Sequence, residues 1–354
     1  MTHNTQQLLP LEYWLKEKSK DQNHFPHGMG DQFDRYQQIK DYCAREVYKW
    51  VGAGTSAEDQ GIYTDHSVEH FNAVIKYAGE LLGLNAHIPN EDIGLLPYEV
   101  FILLISILLH DAGNILGRDG HEKRPLQFFT EMGRALCPDN FEALPIAKIA
   151  EVHGGKALDE KGDATKDTIR NSNLDEESSY RAIRFRPRMI AALVRFADEI
   201  CEDRSRAARF LMERNALPRK SEIYHYYANS ITSVDVDLGS KCINIKYELT
   251  MDEIVNKKGK DGGEEYLIDE INSRLEKMFC ELCYCKAFMY EVVAVNKIRA
   301  VVKIYDGDSE VRQEVFELAE DGYPSKMFSF EAVRPKWCGE SVKIEMASNG
   351  DIEQ

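Results

Sequence analysis

The first two-thirds of the chain spaces its apolar residues for helices, and the last third does not. In 31–51 (DQFDRYQQIKDYCAREVYKWV), Phe33, Tyr36, Ile39, Tyr42, Cys43, Val47 and Trp50 recur at steps of three and four, which predicts an amphipathic helix broken by Gly52 and Gly54. A second helix is predicted over 64–82, with Thr64 or Asp65 as its N-cap and Gly83 as its stop. A third begins near Pro97, a residue suited to a first helical turn, and carries the apolar run 100–109 (VFILLISILL) to His110 and Asp111. That run is too short to cross a bilayer and reads as a buried core helix. Gly113, Gly117 and Gly120 make the next stretch a loop. Further helices are expected over 121–136, 142–153, 186–201 and 203–214, and 157–178 is expected to be an exposed polar insertion.

After Pro218 the pattern changes. Residues 223–238 and 242–249 alternate apolar and polar with Gly239 between them, as in a β-hairpin. A loop is expected over 257–265, an amphipathic helix over 264–289, one or two strands over 290–305 and a last strand over 341–346. There is no internal repeat. The expectation is a mainly α protein, with a helical domain over 1–215 and a smaller α+β domain over 216–354.

With 354 residues and 43% apolar content, the chain can bury a sizeable core. Its formal charge of −16 argues against a general nucleic-acid binder, so any phosphate must be met by a local cluster of bases or by a metal. The opening MTHNTQQLLPLEYW has no basic start followed by a long apolar stretch, so a secretory signal is not expected, and with the run 100–109 too short to span, no membrane partner is expected. Eight cysteines lie scattered without a disulfide framework, which fits a reduced, cytoplasmic protein. Cys280, Cys283 and Cys285 (FCELCYCK) form one tight cluster, but a zinc site wants a fourth ligand and usually two separated pairs. They read as small buried side chains of a helix.

The chemistry lies in a string of histidines and aspartates: His66 and His70 in TDHSVEH, His110-Asp111 in ILLHDAGN, His121 in DGHEKR, His153 in AEVHGG and Asp198 in VRFADE. Most fall on apolar helical segments, where an uncompensated polar group is costly and a bound cation offsets the cost. His66 and His70 are four apart, so both project from one helix face. His110 and Asp111 end the third helix, and Asp198 sits in another apolar one. Three helices can therefore converge two imidazoles and two carboxylates on one point. Such mixed donors suit manganese, iron, zinc, nickel or cobalt better than calcium. Singly, His121 and His153 read equally well as hydrogen-bonded core residues, and His66 as a cap. Glu69, Glu151 and Glu199 flank the set, either orienting its imidazoles or lying on exposed helix surface.

These stretches resemble the HD superfamily of metal-dependent phosphohydrolases over about residues 60–205. The resemblance implies an HD-type helical bundle in which His70 is the first ligand, His110-Asp111 the paired ligands and Asp198 the last. It implies that His121 and His153 hold a second metal or grip phosphate, and that His66 is another ligand or a substrate contact. YTDHSVEH, LLHDAGN, GHEKR and LVRFADEICEDRSR are also similar to a subgroup of bacterial HD domains found with chaperone-type ATPases, which implies such a partner and a nucleotide-like substrate. There are departures. Asn114 stands where many members carry a phosphate-contacting lysine. Gly322-Tyr323-Pro324 matches a tripeptide of the cyclic-dinucleotide phosphodiesterase branch, but far downstream and without its His-His-Glu. The proline-rich run of the deoxynucleotide triphosphohydrolase branch is missing.

The expected cofactor is one or two divalent ions (Mn, Fe, Ni, Co, Zn or Mg), lowering the pKa of a bound water and polarising phosphorus. Asp111, bridging to a second cation at His121 and His153, can accept the water's proton, so Asp111, His121 and His66 are the catalytic candidates. Phosphate clamps are sought among Arg118, Lys123 and Arg124 and the arginines of RAIRFRPR: Arg181, Arg184, Arg186 and Arg188. The latter read equally as a solvated face of an acidic protein. The expected function is hydrolysis of a phosphoester in a nucleotide or nucleotide-like substrate. The alternative is a nucleotide- and metal-binding sensor signalling through the second domain to a partner, and a structural metal site is a third reading. Homo-oligomerisation stays open.

Overall fold

The helix Pro97–Leu109 is apolar on every side, and every residue from Tyr98 to Leu109 is buried. A helix without a polar stripe has to lie at the centre of its fold. It packs against Pro10–Lys18, Gln32–Tyr42, Val68–Leu81, Asn140–Glu151 and Pro187–Glu199, which each turn an apolar stripe toward it. Each leucine, isoleucine or phenylalanine removed from water in this way stabilises the fold by roughly 1.5–3 kcal/mol. Although the stretch Pro97–Leu116 has the length and hydropathy of a membrane span, it is the interior of this bundle.

The computed structural model describes residues 7–52, 62, 64, 67–85, 92–117, 120–134, 136–320 and 330–350, with only the backbone at 332, 333, 349 and 350. The chain divides into two compact units. One comprises Met1–Glu58, His66–Cys201 and Cys285–Ala294, and the other Asp59–Asp65, Glu202–Tyr284 and Val295–Gln354. The division falls between Cys201 and Glu202, ahead of the change of pattern near residue 216.

Two ion pairs with buried carboxylates tie the first unit together. Glu99, fully buried in the first turn of the central helix, accepts from Leu96 N at 2.8 Å and so satisfies the helix N-terminus. It also accepts from the backbone N and Nε of Arg186 at 2.9 and 2.8 Å and from its Nη2 at 2.7 Å. Arg186 immediately precedes Pro187–Glu199, so this fork sets two helix starts side by side. Each helix then runs for 13 residues, and about 1.5 Å of rise per residue brings both far ends to the same depth. In the second pair Arg35 Nη1 donates to Glu142 Oε1 at 2.9 Å, joining Gln32–Tyr42 to Asn140–Glu151. Tyr98 Oη donates to the same oxygen at 2.8 Å.

The second unit holds a four-stranded sheet ordered Ser309–Ala319, Lys297–Asp306, Cys242–Thr250, Ile231–Asp237. The outer pairs are antiparallel and the central pair is parallel, in register from Cys242↔Lys297 to Thr250↔Tyr305. Parallel neighbours need a crossover, and Leu267–Met289 lies in it, burying Ile271, Leu275, Met278 and Leu282 at helical spacing. On the central strands Ile243, Ile245, Tyr247, Leu249, Ile298, Ala300, Val302 and Ile304 face inward.

Mainly α structure with a small sheet region matches the expected class. The helices expected from 31, 64, 97, 142 and 186 are present as Gln32–Tyr42, Val68–Leu81, Pro97–Leu109, Asn140–Glu151 and Pro187–Glu199. Several expectations fail for identifiable reasons. The helix from residue 31 passes into a π-helix over Cys43–Tyr48. The expected helix over 121–136 is a 3-10 turn, His121–Lys123, and a short helix, Pro125–Glu131, because a proline disfavours helix at the residue before it. The glycine-rich stretch after Asp111 starts as a 3-10 turn, Ala112–Leu116, rather than a loop. The segment 203–214 holds only Arg204–Arg206 and Arg209–Glu213. Residues 157–178 carry a small hairpin and the turn Thr168–Asn171, and 257–265 is another hairpin rather than a loop.

Residues 223–230 are helical, Glu222–Ser230, and not strand. Ile223 and Tyr227 bury at i and i+4, and their β-favouring side chains imitate alternation. The segment 341–346 belongs to the helix Gly339–Gly350, with Val342 and Met346 buried one turn apart. The strand Ser309–Ala319 escaped notice because its outward residues are charged. Of the cysteine cluster only Cys285 is buried, Cys283 is half-buried and Cys280 is exposed. Gly322-Tyr323-Pro324 lies outside the described residues.

Replacing Glu142 by alanine leaves the Arg35 guanidinium buried without its carboxylate. A loss of about 3–5 kcal/mol in unfolding free energy is expected. Urea denaturation measures it, and a loss under about 1 kcal/mol would mean that the pair behaves as a solvated one.

Candidate metal centre

His70 sits in the first turn of Val68–Leu81, where Ser67 caps the helix by accepting from Glu69 N at 3.2 Å. Phe71, Val74, Ile75 and Ala78 face the core and rotate His70 inward, to 3% exposure. His110 follows the last residue of the central helix with helical φ and ψ, whereas Asp111 (φ −104°, ψ 1°) turns out of it. The two successive side chains are thereby aimed into one cleft. Asp198 arrives in the last turn of Pro187–Glu199, whose start is forked to Glu99. His153 lies just beyond Asn140–Glu151. His121 is brought in by a close backbone approach. A Cβ on Gly113 would stand 2.1 Å from the His121 carbonyl oxygen, so only glycine lets that turn come so near Asp111.

Two ligand groups result. His70, His110 and Asp198 each offer one donor atom within 4.8 Å of the others, and so do Asp111, His121 and His153. Asp111 faces both. Its Oδ2 is 3.5 Å from Nε2 of His70 and 3.5 Å from Nε2 of His110. Its Oδ1 is 3.3 Å from Nε2 of His121 and 3.9 Å from Nε2 of His153. Asp198 Oδ1 lies 3.2 Å from Nε2 of His70 and 3.5 Å from Nε2 of His110.

These spacings suit a shared cation. Donors each about 2.1 Å from one ion stand about 3.0–3.4 Å apart at octahedral or tetrahedral angles. The buried Nε2 of His110 has no hydrogen-bond partner among the described residues, which would be costly if nothing else met it. The imidazoles are also set in the correct tautomer. Nδ1 of His110 donates to Ile107 O at 2.7 Å, and Nδ1 of His153 donates to Ala150 O at 2.6 Å. Each Nε2 therefore carries a lone pair toward the carboxylates, the arrangement in which a histidine ligates metal.

The electrostatics point the same way. Burial and the neighbouring His110 hold the His153 imidazole down to about 4, so it stays neutral above that pH. Burial would lower His110 too, but the charges of Asp111 and Asp198 outweigh it and raise its affinity for a proton. Burial would raise the Asp198 carboxyl, yet the His110 and His70 imidazoles hold it well below the usual carboxylate range. The ionised Asp198 carboxylate thus joins Asp111 at a cleft that calls for positive charge. The mixed nitrogen and oxygen donors fit a divalent transition ion.

Three contributors escaped the sequence reading. Asn114, noted there as a departure, donates from Nδ2 to Asp111 Oδ1 at 2.8 Å and orients that carboxylate. Cys201 Sγ lies 3.6 Å from Nδ1 of His70, the place that backbone carbonyls take at the other two histidines. Tyr48, in the π-helix, packs edge-on against Phe71 with ring centroids 4.9 Å apart. Its buried hydroxyl has no hydrogen-bond partner among the described residues. Nothing in their local sequence marks these residues.

Four of the proposed phosphate clamps are bonded within the protein. Arg124 Nη1 donates to the carbonyls of Gly113 and Gly117 at 2.8 and 2.9 Å, bracing the turn after Asp111. Arg188 Nε donates to Leu174 O at 2.7 Å, Arg181 Nη1 donates to His27 O at 2.8 Å, and Arg186 is committed to Glu99. Arg184 is exposed on the strand Ile183–Phe185, and Lys123 is exposed beside His121. Glu69 pairs with its own cap Ser67 and Glu151 with Lys148, so neither orients an imidazole through those bonds. His66 and Arg118 lie outside the described residues.

A histidine, a His-Asp pair and a distant aspartate, brought together from separate helices, define an HD-type domain. The chain belongs to the HD-CE family, whose model matches residues 61–277, more than half of its length. No curated protein and no solved structure matches it.

Chelator-treated protein given manganese in large excess is expected to unfold roughly 5–10 °C higher, from about 2.7 kcal/mol of linkage at a hundredfold excess over Kd. His110→Ala should abolish the shift in a thermal melt, and a wild-type protein indifferent to every divalent ion would count against the site. Gly113→Ala should weaken binding at Asp111, His121 and His153 while sparing the other group. Calorimetric titration would then show a lower stoichiometry.

Proposed function

We propose that this protein is a metal-dependent phosphohydrolase that cleaves a phosphoester bond of a nucleotide or nucleotide-like substrate. The observation that carries this reading is Asp111, whose two oxygens face two separate histidine groups. A structural metal site has no use for a second donor group across a shared carboxylate, and hydrolysis at phosphorus does.

His70, His110 and Asp198 would hold one divalent ion, and His121 and His153 with Asp111 would hold a second or steady a phosphate oxygen. The ion, when bound, lowers the pKa of water and draws electron density from phosphorus. Asp111 Oδ1, kept in place by Asn114, takes the proton of the attacking water as its oxygen bonds to phosphorus. The ester P–O bond breaks, and the proton passes on to the leaving oxygen. His121, the most exposed of the four histidines at 19% of its side chain, lies on the open side for that return step. The central helix excludes bulk water from beneath the cleft, where charged contacts are strengthened.

Protein loaded with manganese, cobalt or nickel is expected to hydrolyse an aryl phosphodiester or a member of a nucleotide panel. His110→Ala and Asp111→Ala should each lower kcat/KM by about a thousandfold or more, since metal assistance contributes several kcal/mol. Activity that survives both substitutions would defeat the reading. Tight nucleotide binding without turnover would favour a sensor acting on a partner such as a chaperone-type ATPase.

A further inference from the structure

Beside the turn that carries His121 and the helix end that carries His153 lies a second cavity of about 190 Å³. It is lined by Glu122, Lys123, Val152 and Gly154, each adjacent in sequence to His121 or His153 or two residues away, and by Lys148, Glu151, Lys156, Thr168 and Asn171 among others. At that size it falls below the roughly 300 Å³ at which pockets for whole small molecules begin, so it suits one group of a larger ligand.

Its charges are unevenly answered. Glu151 Oε1 takes Lys148 Nζ at 3.0 Å. Glu122 is turned to the metal centre, with Oε2 3.5 Å from Nδ1 of His121, and its carboxylate is seated where Gly155 leaves room for it. That leaves the ammonium groups of Lys123 and Lys156 with no ion pair or hydrogen bond among the described residues. The side-chain amide of Asn171 is likewise uncommitted. In a chain with a net charge of −16, these two cations thus stand without an answering carboxylate at one small hollow, next to two candidate metal ligands.

We propose that this cavity is an anion subsite, which receives a phosphate group of the substrate other than the one attacked. Lys123 and Lys156 supply the charge, and Asn171 supplies a directional donor. The inference rests on the phosphohydrolase reading for its purpose and extends it. The substrate class becomes one with two or more phosphates, and singly phosphorylated compounds are poor substrates.

The first test needs no turnover. Inorganic pyrophosphate is titrated calorimetrically into chelator-treated protein, so that the metal centre contributes nothing. Wild type is expected to bind it, and Lys123→Gln with Lys156→Gln should weaken binding about tenfold or more, as losing charged donors does. Both lysines are exposed, and an unchanged thermal melt checks that the variant folds. No binding by wild type, or equal binding by the double variant, overturns the proposal.

The second test compares substrates on manganese-loaded protein. The double variant should raise KM for a nucleoside triphosphate and for inorganic tripolyphosphate about tenfold more than KM for an aryl phosphodiester. An effect confined to one polyphosphate identifies which source the subsite serves. Hydrolysis indifferent to both lysines sinks the subsite and leaves the phosphohydrolase standing. Lysine-dependent pyrophosphate binding without any hydrolysis does the reverse.

Discussion

Two carboxylates set against buried imidazoles are the constraint around which the first unit is arranged. Asp111 is 5% exposed, and Asp198 lies against two buried imidazoles. Taking such charges out of water costs several kcal/mol each unless positive charge meets them. The nearby imidazoles cannot all supply it. His153 is held neutral, and His110 and His153 spend their Nδ1 protons on backbone carbonyls and turn lone pairs to the cleft. What remains is a proton drawn onto His110 or a metal ion, and the donor spacing suits the ion. The same carboxylates that are costly to bury make the cleft selective for cations.

Bringing donors from four helices and a 3-10 turn to that point takes rigid support, and the support is electrostatic as well as apolar. The Glu99–Arg186 fork lies one full helix length from the cleft, where it fixes the relative register of the two helices that end in His110 and Asp198. The Arg35–Glu142 pair does the same for the helix leading to His153. Arg186, one of the arginines that look in sequence like phosphate clamps, therefore serves as a structural tie. The cations beside His121 and His153 that have no ion pair among the described residues are lysines, flexible point charges rather than forks.

The HD-CE match ends at residue 277, well past the last of the donors at Asp198. What characterises the family thus includes Glu222–Ser230, the hairpin Ile231–Asp237 with Cys242–Thr250, and the start of the long helix. Tyr224 and His225 in this stretch are occupied internally, the tyrosine by Asp261. His225 Nε2, for instance, donates to Ile62 O at 2.8 Å, and its Nδ1 accepts from Ala208 N at 3.2 Å.

The chain by itself determined the long helices and the ligand string, because both are short-range signals. Apolar spacing marks a buried face wherever it recurs, and histidine and aspartate on such a face are conspicuous against the cost of burying them. It did not determine where short elements begin. Over 223–230 and 341–346, residues with strand preferences were held in helices by contacts distant in sequence. Only the tertiary structure decided that Asp111 turns its two oxygens to different histidines, that Asn114 and Cys201 stand behind them, and that Gly113 admits His121. Those facts depend on the approach of segments whose separation in space no local pattern encodes. The arginines show the same limit: their charge was plain in the sequence, but their partners were set by which helix ends the packed core brought together.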